Sequence, residues 1–119
     1  MNDIKVMNRA ADNIRVLAAS MVEKAKSGHP GGAMGGADFI NVLFSEYLVY
    51  DPKNPEWEGR DRYFQDPGHM SPMLYSVLAL AGKFTIDELK EFRQWGSVTP
   101  GHPEVNVMRG IENTSGPLG

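Results

Sequence analysis

The sequence contains no cysteine, which excludes disulfides, thiolate metal sites and a cysteine nucleophile. It has no apolar run long enough to span a bilayer. It carries no large excess of one charge: 12 basic residues stand against 15 acidic ones, and the basic residues are dispersed. Neither nucleic acid nor an anionic membrane surface is expected as a partner. Met1 to Ala10 includes Asp3, Lys5 and Arg9 but no apolar core, so a secretory signal is not expected. Asn113-Thr114-Ser115 fits the glycosylation sequon and is read as coincidence. A cysteine-free chain suits a reducing compartment, and a cytoplasmic location is the expectation. The serines lack a G-x-S-x-G elbow, and the histidines form no H-x-x-x-H pair.

What is present is glycine and, beside it, histidine. All three histidines directly follow a glycine, in Gly28-His29, Gly68-His69 and Gly101-His102, and two of these continue into proline. Glycine lets a backbone adopt φ > 0 or come close to a neighbour. Histidine hydrogen-bonds and moves protons near neutral pH. Three such pairs on separate loops imply either imidazoles presented to one site or three unrelated surface turns.

Hydrophobic residues make up 41% of the 119, enough for one globular core. Between Arg9 and Lys26, apolar Ile14, Leu17, Ala18, Met21, Val22 and Ala25 predict a helix that Gly28 stops. Pro30 to Gly36 reads as a loose loop, and a second helix is expected from Ala37 through Val49. That helix is apolar around much of its circumference, which implies burial on more than one side. Arg62 to Gln65 is the best strand candidate. Ser71-Pro72 reads as an N-cap and first helical residue, with Gly82 as the stop. Thr85 to Glu88 is a capping box opening a short helix. After Trp95-Gly96 no periodicity remains. The carboxylates from Asp87 to Glu91 read as a solvated helix face, and Trp57 and Trp95 as core.

The glycine-rich stretch before the second helix could bind an anion at the helix N-terminus or serve only as a flexible turn. It fits neither G-x-x-x-x-G-K-[ST] nor G-x-G-x-x-G. The residues alone describe a helical domain with three loop imidazoles and a candidate anion loop. Such a domain suits a phosphorylated ligand handled by general acid–base chemistry.

Longer motifs narrow this. Lys24 to Gly31, then Met34-Gly35 and Ala37-Asp38, closely resembles the N-terminal signature of transketolases. Asp61-Arg62-Tyr63-Phe64 with Gly68-His69 is similar to that family's second block. Glu88-Leu89-Lys90, Phe92-Arg93-Gln94 and Thr99 to Glu104 resemble the third block, and Thr114 to Gly119 the fourth. The blocks run in family order from about Ala10 to Gly119. Gly32-Ala33 and Asp66-Pro67 depart from the usual residues without removing a histidine.

The resemblance implies transfer of a two-carbon ketol unit between sugar phosphates, with thiamine diphosphate and Mg²⁺ or Ca²⁺ as cofactors. It implies that His29 contacts substrate and assists proton transfer, and that His69 lies against the cofactor. His102 is implied near the reactive carbon and the donor's hydroxyls, as both a catalytic and a cofactor-binding residue. Gly116, Pro117 and Leu118 are implied to line the cofactor. The glycines before the histidines would then let the loops approach it closely.

The family's metal motif and its pyrimidine domain are not in this sequence, so no metal ligand is expected here. Residues 1–119 are expected to be the N-terminal part of an α/β/α thiamine-diphosphate-binding domain, itself mostly α-helical with one or two short strands and inactive alone. A homo-oligomer is expected, completed by the remainder of a transketolase chain or by another subunit. The alternatives are a piece of a split or related thiamine-diphosphate enzyme, and a non-catalytic fragment that self-associates.

Overall fold

Asp3 opens the first helix of the computed structural model, which describes Met1–Leu118. Gly119, the last residue of the fourth motif block, lies outside the described residues. The Asp3 carboxylate accepts from the Lys5 and Val6 N–H groups at 2.8 and 3.2 Å. Helix α1 then runs Ile4–Ala25 and buries Ala11, Ile14, Ala18 and Met21, spaced three or four residues apart on one stripe. Removing a side chain such as Ile14 from water contributes about 1.5–3 kcal/mol. The helix therefore begins before Arg9. It ends on Lys26 in the left-handed conformation, φ 52°, two residues ahead of the predicted glycine stop.

The glycine-rich stretch is not a loop. Gly31–Gly35 forms a helical turn, α2, and Ala37–Val42 forms α3. Glycine disfavours helix by about 1 kcal/mol per residue, but here it permits close packing. A methyl group on Gly32 would stand 2.9 Å from Met70 Cγ. The predicted second helix does not continue regularly to Val49; it widens into a π-helical turn over Leu43–Tyr47. Ala37, Ile40, Asn41 and Phe44 face inward, while Phe39, Val42, Tyr47 and Val49 stay exposed. The second apolar side is real and uncovered among the described residues.

Helix α4, Ser71–Leu80, is the centre of the fold, and Ser71 through Leu78 are all buried. It packs against α1, α2, α3 and α5, which is why its apolar residues encircle it rather than form a stripe. Ser71 is not the N-cap: it is the first helical residue, and its hydroxyl donates instead to the Gly101 carbonyl at 2.6 Å. Helix α5, Ile86–Lys90, carries the predicted capping box. Thr85 Oγ1 accepts from the Glu88 N–H at 3.1 Å, and Glu88 accepts from the Thr85 N–H at 2.9 Å.

Arg62–Gln65 is extended but does not form a strand. Its bonds go to a side chain: the Gln65 N–H donates to Asn113 Oδ1 at 2.9 Å, and Asn113 Nδ2 donates to the Gln65 carbonyl at 3.2 Å. One amide group thus stands in for a neighbouring strand. The one β-pairing among the described residues is an isolated antiparallel bridge between Asn106 and Ile111. The tail also holds a 3₁₀ turn at Val107–Arg109. Arg60 and Arg109 lash it down through paired bonds to Glu112, at 2.7 and 3.0 Å, and to Glu88, at 2.8 and 2.9 Å.

The aromatic core is Phe44, Tyr75, Phe84 and Phe92; Trp95 is 104% exposed and Trp57 is 42% exposed, contrary to expectation. Arg93 and Gly96 both have left-handed φ, 62° and 75°, and the reversals turn Trp95 outward. The Asp87–Glu91 face is solvated except at Glu88, which is paired with Arg109. No helix of the described residues is long and apolar enough to cross a membrane.

Candidate functional site

The three Gly-His pairs lie on the loop after α1, the 3₁₀ turn Gly68–Met70 before α4, and the segment after α5. The fold brings the first two side by side. The His29 and His69 rings are 4.9 Å apart between centroids and tilted by 55°. His29 is exposed and His69 half-buried.

The third loop is fastened to the first turn of α4. Ser71 bonds Gly101, and the buried Tyr75 hydroxyl donates to the Pro100 carbonyl at 2.7 Å. Burial pushes the Tyr75 hydroxyl well above its ordinary pKa, with the Glu104 charge adding to the effect, so it remains a donor. His102 Nε2 is buried without any hydrogen-bond partner. A buried orphan polar atom costs about 1–3 kcal/mol. Beside it opens a cleft of about 650 Å³ lined by Arg93, Trp95, Pro100, Gly101, His102 and Glu104.

Gly116 is tied to the second loop. The Gly68 N–H donates to the Gly116 carbonyl at 3.2 Å, and the Ser115 N–H donates to Pro103 at 3.0 Å. The Ser115 hydroxyl donates to Asp66 at 2.8 Å, so the segments around His69, His102 and Gly116 form one bonded unit. Pro117 and Leu118 follow it and are exposed, Leu118 to 98%.

Sequence reasoning did not single out Arg93, Ser71, Tyr75 or Ser115 as supports. Arg93 sits between two histidine loops. A methyl on Gly28 would lie 3.5 Å from its Nη1, and one on Gly101 would lie 3.3 Å from its Cγ and Nε. Its left-handed backbone has no sequence signal, because arginine gives none. The glycines also serve a purpose different from the expected one. What crowds them is protein: Phe92 and Val22 at Gly28, the Gly116 and Ser115 backbone at Gly68, and Arg93 at Gly101.

Among the described residues no group of three or more histidine or carboxylate side chains could hold a metal ion. The arrangement is instead a set of partly exposed imidazoles, one with a buried nitrogen that lacks a polar partner, on braced loops. That arrangement suits a site completed by groups from outside these loops. Residues 6–119 match the family described as "Transketolase, thiamine diphosphate binding domain". The chain is 50% identical to "Transketolase-1, chloroplastic" of Arabidopsis thaliana over 119 residues, covering 98% of this chain and 16% of that one. It superposes on the transketolase of Campylobacter jejuni with a TM-score of 0.90 at 46% identity, covering 98% of this chain and 18% of that one. A Pichia stipitis transketolase, solved in complex with sedoheptulose-7-phosphate, superposes with a TM-score of 0.89 at 43% identity, covering 94% and 17%. The chain belongs to the transketolase family. It spans about a sixth of the length of the curated relatives it matches.

Proposed function

We propose that residues 1–119 form the N-terminal part of a thiamine-diphosphate-binding domain and supply one wall of the active site of a ketol-transferring enzyme acting on sugar phosphates. The observation that carries this reading is the buried, partnerless His102 Nε2 beside an open cleft, fixed to the loops of His69 and Gly116. An orphan imidazole nitrogen on a braced loop is pre-organised for a polar ligand.

The residues fit thiamine diphosphate in their chemistry. His69 would hold it by hydrogen bonding from the turn before α4. Gly116, Pro117 and Leu118 would offer it backbone and apolar surface. Bound there, the cofactor supplies the electron sink for breaking and making the carbon–carbon bond. His29 and His102 would bind the sugar's hydroxyls and carry protons to and from them. The exposed His29 would stay open to substrate while the half-buried His69 would face the cofactor. Mg²⁺ or Ca²⁺ would be held by groups outside this chain. The complete site would require the remainder of a transketolase chain or a completing subunit, assembled as a homo-oligomer. A cytoplasmic place in the pentose phosphate pathway accords with this chemistry.

The test is a calorimetric titration of the chain with thiamine diphosphate, with and without Mg²⁺. Saturable heat that disappears in His69→Ala supports a partial cofactor site. Absence of heat in both conditions, with the chain folded, removes the cofactor role of this segment alone. A second reading, a self-associating fragment, is favoured by exposed Phe39, Val42, Tyr47 and Val49. Sedimentation separates the two: a monomer across the accessible concentration range sinks it.

A further inference from the structure

The His29–His69 pair has a geometry that the cofactor reading does not use. A histidine nitrogen binds Zn²⁺ at about 2.0–2.1 Å, and the ring centroid lies about 1.1 Å further along the same line. Two imidazoles on one ion therefore have centroids about 4.5 Å apart at a right angle and about 5.2 Å apart at the tetrahedral angle. The observed separation is 4.9 Å, between these values. From this the geometry points to a two-histidine site for a borderline transition-metal ion, Zn²⁺ or Cu²⁺, distinct from the hard Mg²⁺ or Ca²⁺ of the proposed function.

The surroundings agree. The side-chain bonds of the neighbouring segments run through Gln65, Ser71 and Tyr75, and none of them involves either ring. Both nitrogen pairs are therefore free of these partners, and the exposed His29 gives an ion a way in. Both loops are pre-shaped, by Gly28 at φ 125° and by the Gly68 backbone bonded to Gly116, so little ordering is needed on binding. Among the described residues no third histidine or carboxylate completes a cluster, so water fills the remaining positions and the affinity is modest. Imidazole favours Cu²⁺ and Zn²⁺ over Mg²⁺ and Ca²⁺, which prefer oxygen. An ion held here ties up two of the imidazoles that the proposed function gives to substrate and cofactor, and so opposes that function.

The chain is suited to a clean test, having three histidines and no cysteine. Zn²⁺ is titrated into the chain while the ring-proton NMR signals of all three histidines are followed. The expected result is one saturable event that shifts His29 and His69 together and leaves His102 unmoved. Binding is lost in His29→Ala and in His69→Ala, persists in His102→Ala, and is not reproduced by Mg²⁺. Circular dichroism on each variant separates loss of binding from loss of fold. Zn²⁺ binding that survives His29→Ala in a folded chain, or equal shifts at all three rings, overturns the inference. The titration contains no thiamine diphosphate, so its outcome is independent of whether the cofactor reading stands.

Discussion

Gly68→Ala tests whether the second and fourth motif segments act as one unit. A methyl group there would stand 2.9 Å from the carbonyl oxygens of both Gly116 and Ser115, and 3.0 Å from the Ser115 carbonyl carbon. These are backbone atoms, so no flexible side-chain end can swing away. They are also held: Ser115 donates to Pro103 at 3.0 Å through its N–H and to Asp66 at 2.8 Å through its hydroxyl. The segment must move as a whole, which costs about 1–3 kcal/mol as overpacking. Loss of the Gly68–Gly116 bond adds about 1 kcal/mol. The less flexible unfolded chain returns about 0.4–1 kcal/mol. The net loss is about 1–3.6 kcal/mol, or roughly 4–14 °C in Tm for a chain of this size. Gly35→Ala is the control. It lies in the helical turn α2 with nothing within 4 Å of the new methyl, and it should gain about 0.5–1 kcal/mol. Urea unfolding followed by circular dichroism reads both variants, with m unchanged if the comparison is sound. If Gly68→Ala is as stable as the parent chain, the braced unit described for the site does not exist.

Other consequences are equally direct. Tyr75→Phe removes the hydroxyl that anchors Pro100 and leaves its carbonyl unpaired; a loss of about 1–2 kcal/mol in urea unfolding is expected. The Arg109 guanidinium, aided by the Thr85 N–H, holds the Glu88 carboxyl below its ordinary pKa. The folded value is the lower one, so this stabilisation is complete above the unfolded value and is lost as pH falls through the folded one. Stability measured from neutral to acid pH should therefore show a component that disappears in Glu88→Gln. His102→Leu removes the buried orphan nitrogen, so the isolated chain should be no less stable than its parent in thermal melts while any thiamine diphosphate binding is abolished. In a completed enzyme, His29→Ala should reduce ketol transfer and leave the circular dichroism of the segment unchanged, because His29 is an exposed loop residue.

What the sequence disclosed was what local chemistry decides. The α1 stripe and the Thr85–Glu88 capping box depend on residues three or four positions apart, and both are where they were expected. What it hid was decided at a distance. The strand propensity of Arg62–Gln65 found no partner strand and was met by Asn113, 48 positions away. Ser71 has the chemistry of a cap, yet a carbonyl 30 positions along claims its hydroxyl. The glycines between Pro30 and Gly36 forecast a loop, but the gain from packing against Met70 and Met73 outweighs their poor helix propensity. Trp95 is turned outward by a left-handed arginine that no propensity scale anticipates.

The Gly-His pattern singled out three loops, and the structure gives their glycines a packing role that the sequence did not suggest. If the glycines existed to admit a cofactor, a methyl group on each should point into open space on the ligand side. Instead Gly28 is required by φ 125° and Gly68 by the backbone of Ser115 and Gly116, while Gly101 is crowded by the movable Arg93 side chain. Each glycine lets its loop press against the protein, which limits how far the following histidine can shift. Position is what an imidazole needs in order to transfer a proton to a ligand it does not itself hold rigidly. The same logic accounts for the left-handed Arg93. Its strained backbone is maintained by the Thr99 carbonyl at 3.0 Å, and Thr99 is in turn anchored by its hydroxyl to the Glu88 carbonyl at 3.1 Å. A chain of short bonds thus runs from the α5 capping box through Thr99 to Arg93, whose side chain lies beside Gly28 and Gly101. Helix α5 therefore supports the arginine that packs beside two of the three histidine loops, even though no residue of that helix lines the cleft.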